Sequence, residues 1–162
     1  MKSQPITALA ALAAMILPGT AQASWHASQW GQTVDQVVKA EKADAKAKKV
    51  ADKPELRQSG LLMLAEGQAT EQGLKVKVRF YFDPQNHTLR MVQLVPVETW
   101  LNATTEEFLV HQYGPAKVTA GTQDGMQMRQ LDWPQTDGDL ARLLEAKSDA
   151  GEGYVWTVRP GA

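Results

Sequence analysis

The chain contains no cysteine. That excludes disulfide bonds, a thiolate nucleophile and any metal centre built on sulfur, so stability must come from packing and hydrogen bonds. It also lacks an excess of either charge, with 17 Lys and Arg against 18 Asp and Glu and a formal net charge of −1. Binding to nucleic acid rests on a concentrated basic field, so no nucleic-acid partner is expected. Ile6 to Leu17 is the longest mostly apolar stretch, well short of the roughly 20 residues a membrane-spanning helix needs. The local signatures of catalysis are missing as well: there is no Gly-x-Ser-x-Gly elbow, no Gly-x-x-x-x-Gly-Lys phosphate loop, no His-Glu-x-x-His and no Gly-x-Gly-x-x-Gly. Asp137-Gly138-Asp139 lacks the spacing of a calcium loop and reads as a turn. Glu106 and Glu107 are adjacent on an expected helix and point about 100° apart, and first-turn acids are explained by the helix dipole. No enzyme is expected. What remains is ordinary globular composition: 162 residues, 43% hydrophobic and 22% charged, with mean hydropathy −0.35.

The first residues read as a secretory leader. Lys2 precedes the apolar run, Pro18-Gly19 breaks it, and Ala21-Gln22-Ala23 sets small residues at the −3 and −1 positions of a cleavage site after Ala23. Residues 1–23 are therefore expected to be a signal peptide, the mature chain to be periplasmic, and no stable membrane insertion to follow cleavage. Residues 24–57 would form an N-terminal segment. Residues 58–162 would hold an antiparallel sheet and a second helix, in one domain with the N-terminal helix.

Thr33 and Gln36 form a capping box that opens a helix carrying Val34, Val37 and Val38 on one face. Residues 39–57 are rich in Ala and Lys, with seven basic against four acidic residues, and read as a solvated helix end and linker. From Leu74 the period changes to two. Leu74, Val76, Val78, Phe80 and Phe82 alternate with Lys75, Lys77, Arg79 and Tyr81, the pattern of a half-buried strand. The turn formers Asp83 to His87 make residues 74–97 a hairpin, and Leu61 to Ala69 a preceding strand. Thr104 and Glu107 form a second capping box, and Gly114-Pro115 closes that helix. Val118 to Ala120, Met126 to Trp133 and Tyr154 to Arg159 read as strands, whereas Leu140 to Ala146 fits helix or strand. The order is helix, three strands, helix, three to four strands. The expected fold class is α+β in two layers, an antiparallel sheet with helices packed on one face.

Trp30-Gly31-Gln32-Thr33 leading into Val37-Val38, then Phe80-Tyr81-Phe82-Asp83 with Leu89 and Val92, then Tyr113-Gly114-Pro115 and Trp133, resemble small exported bacterial proteins of uncharacterised function. Their architecture is similar to the helix-plus-sheet unit of the β-lactamase inhibitor protein. Gln32 departs from the Met usual there, and Ala43 to Lys53 is unusually polar. The resemblance implies non-enzymatic protein binding and carries over no functional residue.

Two functional expectations follow. The first is a non-catalytic exported domain that binds another envelope protein or an envelope ligand, with Tyr81, Trp133, Tyr154 and Trp156 as candidate contact residues, because Trp and Tyr carry binding energy at interfaces. The second is a periplasmic Cu(II) or Ni(II) site at Ser24, Trp25 and His26. With cleavage after Ala23, the free amine, two deprotonated amides and the imidazole can wrap a square-planar ion. No other cofactor is expected. His87 in a loop and His111 late in a helix have structural explanations. A hydrolase is the third reading, and it requires two carboxylates converging in a pocket.

Overall fold

The computed structural model describes residues 24–71, 73–97, 102–136 and 138–161. The expected leader, residues 1–23, and Trp100 lie outside them. Strands β1 (Ser24–Trp25) and β2 (Ser28–Gln29) form a small hairpin, followed by α1 (Val34–Ala40). Then come β3 (Lys48–Lys49), a single 3-10 turn at Pro54–Leu56, β4 (Leu62–Glu71), β5 (Leu74–Phe82), β6 (Leu89–Pro96), α2 (Asn102–Tyr113), β7 (Lys117–Gln123), β8 (Met126–Pro134), β9 (Asp139–Ser148) and β10 (Gly151–Pro160).

The dominant element is one eight-stranded antiparallel sheet in the order β3-β4-β5-β6-β10-β9-β8-β7. This corrects the expected α+β class. The α-helices among the described residues have only 7 and 12 residues, too few to make a second layer over eight strands, so these residues form a β-sheet fold with two helical patches. Two departures explain the difference. The first helix stops at Ala40, early in the Ala/Lys stretch, and the rest of that stretch turns back onto the sheet: Gln68 N donates to Ala45 O at 2.7 Å, and Ala45 and Ala47 are buried. The ambiguous run from Leu140 to Ala146 is strand, in register with both β8 and β10. No helix among the described residues is long and apolar enough to cross a membrane.

Alternation sets the two faces. Val76, Val78, Phe80 and Phe82 of β5, Val92 and Leu94 of β6, Leu131 and Trp133 of β8, Leu143 of β9 and Trp156 of β10 pack on the inner face with Val37 of α1 and Leu109 of α2. The outer face carries Arg79, Gln93, Thr157, Arg142 and Asp132 in one cross-strand row, each opposite the next. Thr33 N donates to Gln36 Oε1 at 2.9 Å, so the first capping box forms. The second does not fall where expected, because α2 already runs through Thr104. Asp83 Oδ1 accepts from the amides of Gln85 and Asn86, which shapes the β5–β6 loop.

Candidate functional site

α2 covers only part of the inner face of β7 to β10. Its buried Leu109 shares the core cluster with Leu131, Trp133, Leu143 and Trp156, and its Phe108 and Tyr113 rings lie against Trp156 and Trp133. Past Thr105 and Glu106 no helix among the described residues lies above the β7–β8 and β9–β10 hairpins. The β7–β8 turn is tight because Asp124 and Gly125 both take positive φ, 50° and 78°, as a two-residue hairpin turn requires. Register then places Ala120 opposite Arg129, Thr122 opposite Gln127, Arg129 opposite Glu145, and Glu145 opposite Tyr154. With Lys147 and Glu152 these side chains line a groove of about 690 Å³.

Arg129 is the centre of that groove. Its Nη1 donates to Glu106 Oε2 at 2.6 Å and to Glu145 Oε2 at 3.0 Å, and its Nη2 donates to Glu106 Oε1 at 2.7 Å. The guanidinium holds the Glu106 carboxyl below its ordinary range, against a smaller opposing effect of burial. Glu106 and Glu145 thus converge in a pocket, as a hydrolase would need. Arg129 favours the charged form of Glu106 and joins it to Glu145, tying α2 to the sheet.

The groove borders β7, whose seven residues are exposed along their whole length. β7 pairs with β8 alone, so its other edge presents unpaired backbone groups among the described residues. The opposite edge of the sheet is unlike it. There β3 has two residues, both lysine, the short, charged ending that blocks further strand pairing.

The expected contact residues do not form a surface patch. Trp133 and Trp156 are 2% exposed, on the inner face beside α2, and Trp133 Nε1 donates to Gly114 O at 2.8 Å. Tyr81 is buried on the outer face with Met63 and Met91, its hydroxyl donating to Gln93 Oε1 at 3.1 Å. Tyr154 alone borders the groove, half-buried, with its hydroxyl 3.4 Å from Thr105 Oγ1. The period-two pattern shows that Trp133 and Trp156 share faces with Leu131 and Val158; what it cannot show is that α2 covers them. Arg129, Glu145 and Lys147 were missed because their common face depends on register between strands.

At the other end, Ser24 and Trp25 pair with Gln29 and Ser28. Trp25 is 6% exposed and packs edge-on to Phe80. His26 has φ 52°, stacks on Trp25, and its Nε2 lies 2.8 Å from Glu71 Oε1. That contact raises the imidazole pKa, against burial. Wrapping a square-planar ion with the amides of Trp25 and His26 would draw Trp25 from the core and His26 from Glu71. Close by, Ser28 Oγ donates to Glu41 Oε1 at 2.7 Å. Burial pushes the Glu41 carboxyl up, an effect that the Ser28 hydrogen bond opposes.

Compared with known proteins, the chain matches no family model, no curated protein and no solved structure. Fold and site together define a β-sheet protein with an exposed edge strand, β7, and a charged groove beside it.

Proposed function

We propose that the protein is a non-catalytic, exported binding domain that captures an extended segment of another envelope protein by adding it as a strand to β7. The observation that carries this reading is the contrast between the sheet's two edges: β3 is cut to two lysines, whereas β7 offers seven exposed residues without a proline. Strand addition uses the main chain for affinity and alternate side chains for specificity. A strand laid along β7 has the groove at its flank. The groove is lined by Glu106, Glu145 and Glu152, paired with Arg129 and Lys147 and leaving one acid in excess, so the segment that fits presents basic or hydroxyl-bearing residues on that side.

Successive residues of a strand turn their N–H groups to opposite edges. Of Thr119 and Ala120, one therefore faces β8 and the other the open edge. Proline at the outward position leaves the β7–β8 ladder intact and removes a donor to any added strand. The test is selection of short displayed peptides on the purified protein, with Thr119→Pro and Ala120→Pro as controls. The expected result is a family of peptides that slows amide exchange in β7 and is lost on whichever proline variant keeps a native circular-dichroism spectrum. Peptides that bind the folded variant equally well, or protect amides elsewhere, would overturn the reading. So would a dimer in light scattering that the same proline dissociates, since the edge would then belong to a second copy.

A further inference from the structure

A second site lies at the opposite end of the sheet and is independent of β7. His26 from the turn of the N-terminal hairpin, Glu41 at the end of α1 and Asp44 just beyond it each place a donor atom within 4.8 Å of the others. Glu41 is the unusual member. It is 0% exposed, and while Oε1 accepts from Ser28, Oε2 is buried with no hydrogen-bond partner among the described residues. A buried carboxylate oxygen left bare is costly, and one of the ordinary remedies is a cation.

We propose that His26, Glu41 and Asp44 bind one divalent cation of the zinc type, which clamps the N-terminal hairpin to the segment following α1. One imidazole with two carboxylates suits a borderline divalent ion and leaves a fourth position for water. In a tetrahedral site with bonds of about 2.1 Å the donors stand about 3.4 Å apart, so closing on an ion asks for a contraction that the exposed Asp44 and half-exposed His26 can make. Two further contacts match how such ligands are usually held. Glu71 Oε1 lies 2.8 Å from Nε2 of His26, and Ser28 orients the Glu41 carboxylate; outer partners of this kind fix ligand geometry. In a cysteine-free chain the clamp would do what a disulfide does elsewhere, joining a two-strand hairpin to the body of the fold. This site shares only His26 with the Ser24, Trp25 and His26 motif, and it requires neither a free amine nor cleavage of the chain.

The experiment is calorimetric titration of the purified protein with zinc chloride, read beside thermal melts with and without the ion. Asp44→Asn is the key variant because Asp44 is exposed and its loss should spare the fold. The expected result is uptake of one zinc ion per chain, a melting temperature that rises with zinc, and affinity weakened about 100-fold or more in Asp44→Asn and His26→Ala. Glu71→Gln should weaken it about 10-fold, the usual effect of removing an outer partner. Absence of stoichiometric uptake, or equal uptake by wild type and Asp44→Asn, overturns the proposal.

Discussion

Asp132 on β8 stands directly opposite Arg142 on β9, on the outer face. The guanidinium grips both carboxylate oxygens, Nε to Oδ1 at 2.6 Å and Nη2 to Oδ2 at 2.9 Å, and Gln130 adds a third donor to Oδ2 at 2.9 Å. These partners, Arg142 foremost, hold the Asp132 carboxyl below its ordinary value of 3.8 even though burial opposes them. A depressed acid stabilises the folded state above its unfolded pKa, and that contribution is lost as pH falls through the folded value. Asp132→Asn should therefore cost about 1–2 kcal/mol at neutral pH, the range for a charge-assisted hydrogen bond discounted for partial exposure. The gap should close as pH drops below 3.8. Urea melts of both proteins across that interval check it, and a gap that persists in acid would mean that shape, not charge, sets the cost.

Between elements, the closest fit is that of β4 with the segment that follows α1. Gly67 lies under the backbone of Ala45, and a methyl group there would run into the Ala45 carbonyl, which is already committed to Gln68 N. Gly67→Ala should therefore lift residues 43–50 off the sheet, at about 1–3 kcal/mol for overpacking. Faster amide exchange at Gln68 and Val50, with β8 unchanged, is the expected signature; uniform loss of protection would contradict it. The same contact shows what was legible in the sequence and what was not. Leu74 to Phe82 alternates with period two, and the Asp83 to His87 turn and the Thr33 cap are local chemistry, so all three can be read from neighbours in the chain. The Ala/Lys stretch reads as a solvated helix end and linker, yet it lies against β4, where Gly67 leaves room for the Ala45 backbone. Small residues at alternate strand positions were the available signal, but what lies over them is set by tertiary packing. The groove and the His26 cluster were hidden for the same reason: Arg129 meets Glu106 and Glu145, and His26 meets Glu41 and Glu71, only after register and helix position are set.

The sheet is made of two meanders, β3 to β6 and β7 to β10, joined where β10 pairs with β6 through Trp156 opposite Leu94, Thr157 opposite Gln93 and Val158 opposite Val92. Three residue pairs are a narrow seam, and a narrow seam invites the two halves to open separately. The core argues otherwise. Val37, Phe80 and Leu94 of the first half belong to one continuous apolar cluster with Leu109, Leu131 and Trp156 of the second. Trp30 Nε1 also donates to Asp139 Oδ1 at 2.8 Å, across the molecule from the N-terminal segment to the start of β9. Shared burial of this kind makes unfolding cooperative even where strand pairing is thin. Native-state amide exchange should consequently give β5 and β8 the same opening free energy. Leu94→Ala, which empties a fully buried position at the seam, should lower both by the same amount, about 2–5 kcal/mol. If protection falls in β5 while β8 keeps its wild-type value, the halves open independently and the common core does not couple them.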